Sequence, residues 1–342
     1  LADYNLGVTG GNPYSTPIIG NDGYLYSTLT TSKASAGGSI IKVKLDGTEM
    51  TKIFNFSSAT GYKPSASLLQ ANNGRLYGMT DLGGLYGAGV VYSINSDGSD
   101  YRILRNLSSG NITSYMASSR VLLEGSDGLI YGSTFRGGSF DLGTIFKMNK
   151  DGSGYQAIVN FDNNTKGRMP GEIMIASDGK IYGMAIGVDN LNYIYSVKTD
   201  GSQYTRLAGF QGLGTATNTS PLIEGSDGLL YGVLGVGGVN AAGIIFNLRK
   251  DGGAFQTLHD FDAAISSLDV RGTLLEVSPG VFLGGARSDL SSNLGSIYQI
   301  TSSGNYTMLK SFASTESMSS GIGFDQTGND YFGTSRSAWW SV

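Results

Sequence analysis

The chain has 342 residues, is rich in glycine (53 residues) and poor in charge (15 % Asp, Glu, Lys and Arg), and carries a net charge of −4. A nucleic-acid binder normally shows a basic stripe, so this acidic balance argues against a nucleic-acid partner. No apolar run of the sequence approaches the roughly 20 residues that span a bilayer, and the lack of cysteine excludes disulfides and thiolate chemistry.

Four short predicted strands repeat along the chain with a period of about 50 residues. The unit at 121–161 contains an apolar pair, a turn ending in glycine, a Tyr-Gly strand, a Gly-Gly loop, a strand with an aromatic residue, an Asp-Gly turn and a last strand. Glycine accepts the positive φ that such tight turns require. The first turns end at Gly23, Gly74, Gly128, Gly179, Gly228, Gly280 and Gly328, and the second turns at Gly47, Gly98, Gly152, Gly201, Gly252 and Gly304.

This period, with four strands in each unit, is typical of a β-propeller. We predict that residues 1–342 form one all-β domain, a seven-bladed β-propeller with four antiparallel strands per blade. The predicted blades are residues 17–56, 64–107, 120–161, 172–210, 220–261, 272–312 and 321–342.

The seventh unit reaches Val342 after only three predicted strands. The start of the chain contains Tyr4, Asn5 and Leu6, which resemble the ends of the other fourth strands (FNF, RNL and VNF). We therefore predict that residues 1–7 supply the last outer strand. This strand would close the ring and pair an edge that otherwise invites aggregation.

Large apolar residues keep their places between the turns, and we expect them to pack between neighbouring blades. The second strands carry Tyr26, Tyr77, Tyr131, Tyr182 and Tyr231 at this position. The third strands carry Ile41, Tyr92, Phe146, Tyr195, Phe246 and Tyr298.

The units resemble the tandem repeat called GloVer, which is found in exported bacterial proteins. The resemblance rests on GSDGLIYG at 125–132, GG at 137–138, GTIF at 143–146 and VNF at 159–161, and it covers essentially the whole chain. It implies an extracellular or cell-surface location in a bacterium, reached after removal of a signal peptide that this chain does not contain. The family has no assigned catalytic residues, so the resemblance implies no reaction.

A ligand site is expected on the long-loop face. In a propeller blade the loops from the second to the third strand, and from the fourth strand to the next blade, emerge on one face, which we call the long-loop face. The tight turns emerge on the other. Because variable loops on a rigid scaffold favour binding, we place a site on the long-loop face, around the axial channel.

The long-loop face gathers aromatic and charged residues that can grip a glycan or a peptide, because guanidinium forks suit carboxylates. The predicted ligand-binding residues are Tyr14, Tyr62, Lys63, Tyr115, Arg120, Arg136, Arg168, Asp189, Arg271, Arg287 and Arg336; Asp141 and Asp289 lie on the same loops. The alternative interpretation is a solvated rim in which each arginine caps loop carbonyls.

Three functions remain open. The first is a non-catalytic recognition module for a polysaccharide or an extracellular protein. The second is a polysaccharide lyase acting on an acidic glycan, in which Tyr62 or Tyr115 removes a proton while Arg120, Arg136 or Arg168 neutralises the substrate carboxylate. The third is a structural spacer or adhesin segment.

No metal or organic cofactor is predicted. His259 is the single histidine, and without cysteine it cannot build a strong transition-metal site. We expect the protein to be a monomer.

Overall fold

A computed structural model describes residues 12–13, 15–30, 37–108, 122–210, 221–235, 237–261, 273–286, 296–311, 318–324, 331–335 and 339–341. The protein is an all-β β-propeller with four antiparallel strands per blade. The chain divides into two compact units, residues 1–161 with 323–342 and residues 162–322.

The first unit contains three blades. Blade 1 consists of β1 (Asn12–Pro13), β2 (Ile18–Ile19), β3 (Tyr24–Thr30), β4 (Ser39–Lys44) and β5 (Thr51–Asn55). Blade 2 consists of β6 (Leu69–Gln70), β7 (Leu76–Met79), β8 (Val90–Ile94) and β9 (Arg102–Asn106). Blade 3 consists of β10 (Leu123–Glu124), β11 (Ile130–Thr134), β12 (Thr144–Met148) and β13 (Gln156–Asn160). Blade 1 has a fifth strand because β1, as well as β2, pairs with β3.

The second unit also contains three blades. Blade 4 consists of β14 (Ile173–Ile175), β15 (Lys180–Ile186), β16 (Asn192–Lys198) and β17 (Thr205–Gly209). Blade 5 consists of β18 (Ile223–Glu224), β19 (Leu230–Leu234), β20 (Ile244–Leu248) and β21 (Gln256–Asp260). Blade 6 consists of β22 (Leu275–Ser278), β23 (Val281–Ala286), β24 (Ser296–Thr301) and β25 (Tyr306–Ser311).

The described residues form six complete blades, so the prediction of seven four-stranded blades needs correction. The remaining sheet has three strands, β26 (Met318–Phe324), β27 (Tyr331–Ser335) and β28 (Trp339–Ser341). The physical reason is that the described part of the last repeat pairs only three strands into its sheet. Residues 1–7, which we predicted to supply the fourth, lie outside the described residues.

The repeated tyrosines of the second strands pack as predicted. Tyr77 of blade 2 lies in one buried cluster with Phe146 of blade 3, and Tyr182 of blade 4 lies in another with Phe246 of blade 5. Their phenol groups also stabilise the first turns. The tyrosine hydroxyl donates to the turn aspartate in Tyr26–Asp22, Tyr131–Asp127, Tyr182–Asp178 and Tyr231–Asp227, at 2.6–2.8 Å.

The glycine of the Tyr-Gly motif makes room for an aromatic ring. Gly132 lies directly opposite Phe146, and a Cβ at Gly132 would lie 2.6 Å from Phe146 Cζ. Blade 1 differs, because Ser27 lies opposite Ile41. The same glycine–aromatic pairing occurs at Gly78–Tyr92, Gly183–Tyr195, Gly232–Phe246 and Gly284–Tyr298. In each pair the glycine of the second strand leaves room for the aromatic ring opposite it on the third strand.

A second glycine precedes the third strand. Gly89 has φ 96°, a value that L-residues rarely adopt, and a Cβ there would lie 2.0 Å from the carbonyl oxygen of Thr80. Its carbonyl accepts the N–H of Leu107, at the end of the fourth strand (3.0 Å). Gly38, Gly143 and Gly243 make the equivalent hydrogen bonds with Phe56, Phe161 and Phe261.

Carboxylates join neighbouring blades on the tight-turn side, in contacts that we call inter-blade clamps. Glu224, at the end of the first strand of blade 5, accepts hydrogen bonds from the backbone N (2.6 Å) and Oγ (2.7 Å) of Ser177 in blade 4. Lys250 contacts both Glu224 and Ser177. Further clamps join Glu124 to Asn72 and Glu276 to Ser226.

Replacing Glu224 by glutamine is expected to remove a pH-dependent part of the stability. Burial alone would raise the pKa of Glu224, but the hydrogen bonds from Lys250 and Ser177 outweigh it and hold the pKa below 4.5. The carboxylate therefore stabilises the fold above pH 4.5, and this contribution disappears as the pH falls through the lowered pKa. We expect Glu224→Gln to lower the free energy of unfolding by about 1–2 kcal/mol at pH 7 and by much less at pH 3.

Urea unfolding at the two pH values measures this difference. Glu49→Gln is the control, because Glu49 forms an exposed pair with Lys44 and should leave the unfolding midpoint unchanged. An equal loss for Glu224→Gln at pH 3 and pH 7 would contradict the assigned role.

Candidate functional site

The structure describes five of the eleven predicted ligand-binding residues. Tyr62 and Lys63 lie together at the entry to blade 2, Arg136 lies in blade 3, and Arg168 and Asp189 lie in blade 4. Outside the described residues are Tyr14, Tyr115, Arg120, Arg271, Arg287 and Arg336, together with Asp289. Asp141 is described.

Tyr62 is fixed by the loop that joins the second and third strands of blade 2. Its backbone N–H donates to the carbonyl of Leu82 (2.8 Å), and its own carbonyl accepts the N–H of Leu82 (3.2 Å). The ring lies against Gly83, where a Cβ would be 3.0 Å from Tyr62 Cδ1. The tyrosine is therefore held at a defined place in this loop region.

A buried carboxylate lies beside Lys63. Asp81 is only 5 % exposed, accepts a hydrogen bond from Ser65 Oγ at Oδ1 (2.5 Å), and has Oδ2 at 3.8 Å from Lys63 Nζ. The sequence analysis missed Asp81. The available signal was its charge, since the corresponding residues of blades 3 and 5 are Phe135 and Gly235. The Lys63 side chain in this pair stays partly exposed.

Four consecutive blades carry an exposed apolar side chain on the loop between the second and third strands. The loop tips are Leu85 with Tyr86 in blade 2, Phe140 in blade 3, Val188 in blade 4 and Val239 in blade 5. Tyr86 is 56 % exposed and Phe140 is 59 % exposed. The tips were not among the predicted site residues, because single apolar residues in loops carry little signal.

The fourth strand of the same blade anchors three of these loops. The backbone N–H of Leu85 donates to Asn106 Oδ1 (2.8 Å), and that of Ser139 donates to Asn160 Oδ1 (2.9 Å). Val239 N–H donates to Asp260 Oδ2 in the same way (2.8 Å). The tips are thus presented by ordered loops.

Two charged residues of blade 3, Asp141 and Arg136, lie in the loop region between the second and third strands. Asp141 Oδ1 accepts the backbone N–H of Gly137 (2.9 Å), so this carboxylate stabilises its own loop. Arg136 is half-buried beside that loop.

Arg168 joins two loops of blade 4. Its guanidinium donates to Asn163 Oδ1 (2.7 Å), to the carbonyl of Gly187 (3.2 Å) and to Asn190 Oδ1. These contacts match the alternative in which an arginine caps loop groups. Asp189, on the same turn, accepts the backbone N–H of Leu191 (3.1 Å).

Arg206 is a further cation at this place that the sequence analysis missed. Its guanidinium carbon lies 4.0 Å from the ring centroid of Tyr193. Tyr193 donates its hydroxyl to the carbonyl of Lys166 and lies 2.8 Å from the hydroxyl of Tyr204. Burial raises the pKa of Tyr193 to about 12, so the phenol keeps its proton at neutral pH. It supports Arg206 rather than acting as a base.

Among the described residues, no group of three or more His, Cys, Asp or Glu side chains is arranged to hold a metal ion. In the same described part of the chain, no helix has the length and apolar character needed to cross a membrane.

The family described as the Gloeobacter/Verrucomicrobia repeat matches residues 1–193 and 117–339. No curated protein matches the chain. The extracellular domain of a putative hybrid two-component system from B. thetaiotaomicron is 14 % identical, with a TM-score of 0.69 over 100 % of this chain and 42 % of that one. The chain thus spans less than half the length of that protein.

Two lyases have similar structures. An ulvan lyase of a new polysaccharide lyase family, bound to -[GlcA(1-4)Rha3S]-, is 11 % identical, with a TM-score of 0.62 over 99 % of this chain and 95 % of that one. An oligogalacturonate lyase in complex with manganese is 9 % identical, with a TM-score of 0.62 over 97 % and 89 % of the two chains. At these identities the likeness establishes the fold alone.

Proposed function

The chain belongs to the Gloeobacter/Verrucomicrobia repeat family, and from this membership and the loop geometry we propose that it is a non-catalytic recognition module. It binds a polysaccharide or an extracellular protein through its long-loop face. It acts outside the cell or at the cell surface, as the resemblance to exported bacterial proteins suggests and as the extracellular domain among its structural neighbours supports.

The observation that carries this proposal is that an exposed apolar loop tip recurs in blades 2, 3, 4 and 5. An exposed large apolar side chain gains free energy when a partner removes it from water. Here such side chains recur at one place in consecutive blades, on loops held by hydrogen bonds to the fourth strand. Ordered loops lose little conformational entropy on binding, which favours recognition. The aromatic tips, Tyr86 and Phe140, offer flat faces to a sugar ring or an apolar side chain.

We expect Tyr86→Ala and Phe140→Ala each to weaken ligand binding about ten- to a hundredfold, because aromatic anchors carry much of the energy of an interface. A screen of neutral and acidic glycans, and of extracellular proteins, identifies the ligand, and calorimetric titration of the variants measures the loss. Ile103→Ala is the control, since Ile103 is 38 % exposed on the outer strand of blade 2.

Equal losses for Ile103→Ala and the loop-tip variants would contradict the proposal. Release of unsaturated products during the screen would favour the lyase hypothesis, with Tyr62 or Tyr115 as base and Arg120, Arg136 or Arg168 as partner of the carboxylate. Binding of neither a glycan nor a protein would favour the spacer or adhesin segment.

A further inference from the structure

We propose that Arg206 and Arg168 of blade 4 form a binding site for an oxyanion, the carboxylate or sulfate group of an acidic saccharide. The inference deepens the proposed function and rests on it, because it gives the recognised glycan a negative charge. It also adds Arg206, a residue of the outer strand β17, to the residues that contact the ligand.

Arg206 is exposed yet positioned. Its guanidinium carbon lies 4.0 Å from the ring centroid of Tyr193, and Tyr193 is itself hydrogen-bonded to Lys166 and Tyr204. This cation–π contact positions the guanidinium without neutralising its charge. The ion pairs of the described arginines join Arg75 and Arg102 to Asp100 and Arg249 to Asp251, and none of them includes Arg206.

Arg168 contributes a second positive charge with neutral partners. Its contacts with Asn163, Asn190 and the carbonyl of Gly187 use three of its five N–H groups. Amide and carbonyl oxygens orient a guanidinium without cancelling its charge. The loop contacts that fix Arg168 therefore leave its electrostatic attraction for an anion intact.

Gly187 lies close to both guanidinium groups. Its carbonyl accepts from Arg168, and on its other side a Cβ would lie 3.0 Å from Arg206 Nη2 and 2.5 Å from Asp189 Oδ1. Gly187 is not among the glycines with positive φ, so its backbone does not require a glycine. The missing side chain leaves room for the Asp189 carboxylate and the Arg206 guanidinium beside the backbone of Gly187.

The acidic residues nearby do not neutralise the site. Asp162 accepts hydrogen bonds from the backbone of Asn164 and Lys166, and Lys166 Nζ lies 3.6 Å from it. Lys166 thus compensates the negative charge of Asp162, whereas the single carboxylate of Asp189 lies near two arginines. The cluster keeps one positive charge on a chain whose net charge is −4, and it attracts an anion that can form paired hydrogen bonds with a guanidinium.

Titration with three oligosaccharides of equal length tests the site: one carrying glucuronate, one carrying sulfate esters and one neutral. We expect one of the acidic probes to bind more tightly than the neutral one, with the two acidic arms distinguishing carboxylate from sulfate. Arg206→Gln should weaken acidic binding about ten- to a hundredfold. Gly187→Ala, which fills the space and keeps both charges, should weaken it severalfold.

Arg249→Gln is the matched control, because Arg249 is also exposed, lies in the same unit and pairs with Asp251 at a tight turn. Its binding should equal that of the parent protein. Equal affinity of Arg206→Gln and the parent for the acidic probes would overturn the inference, as would binding of the neutral probe alone. The latter result leaves the proposed recognition function standing, whereas insensitivity to Tyr86→Ala and Phe140→Ala would remove that function and leave the Arg206 result in place.

Discussion

Replacing Gly89 by alanine is expected to lower the free energy of unfolding by roughly 2–5 kcal/mol. Two costs combine in this variant. The backbone at φ 96° is unfavourable for any residue with a Cβ, by about 1–2 kcal/mol. The new Cβ would also lie 2.0 Å from the carbonyl oxygen of Thr80, so the backbone must shift, at a cost of about 1–3 kcal/mol. The shift strains the hydrogen bond that joins Gly89 to Leu107.

Gly74→Ala separates the two costs. Gly74 has φ 80°, but among the described residues no atom beyond Gly74 and its two chain neighbours lies within 4 Å of the position of its Cβ. This variant should lose only the conformational part, about 1–2 kcal/mol. Urea unfolding followed by circular dichroism measures both. Equal losses for the two variants would contradict the steric role of Gly89.

Substitutions at Gly132 and Phe146 should have coupled, non-additive effects on the free energy of unfolding. Gly132→Ser is expected to destabilise the protein by about 1–3 kcal/mol, because its Cβ collides with the Phe146 ring. Phe146→Ile is expected to cost a similar amount, since it leaves a cavity in a fully buried cluster. The double variant reproduces the Ser27–Ile41 pair of blade 1, so we expect it to be more stable than the sum of the two losses by about 1 kcal/mol or more.

A double-mutant cycle in urea measures this coupling. Gly132→Ser combined with Tyr92→Ile is the control, because Tyr92 lies opposite Gly78 in another blade and belongs to another cluster. These two losses should add. Additivity in the Gly132–Phe146 cycle as well would contradict the view that the Tyr-Gly motif exists to receive the ring.

The repeat was visible in the sequence because it depends on local chemistry. The tight turns need glycine and the buried strands need large apolar residues, so Gly128 and Tyr131 appear at fixed spacing. The predicted packing of the second-strand tyrosines between blades is confirmed. The number of complete blades was not predicted correctly: the described residues form six complete blades and one three-stranded sheet, and the strand predicted at residues 1–7 lies outside the described residues.

The candidate site was harder to predict, because its residues come together only in the folded chain. Arg168 was selected by its residue type, but its neutral partners come from two separate loops. Arg206 lies on an outer strand and reaches Gly187 only through the fold, so nothing near it in the sequence marks it. The charge of Asp81 distinguishes it in the sequence from its counterparts in blades 3 and 5, but its burial beside Ser65 and Lys63 is visible only in the fold.

The glycines around the loop tips also enclose short segments of equal length. In blade 2 four residues, 85–88, lie between Gly84 and Gly89, and the N–H of Gly89 closes the loop on the carbonyl of Gly83. Blade 3 encloses four residues, 139–142, and blade 5 encloses 239–242, with the same closing hydrogen bond. The glycine frame is thus shared by the three loops, while the enclosed residues differ. We expect that exchanging these four-residue segments between blades changes the binding specificity. The turns and the core, which carry the stability, stay the same.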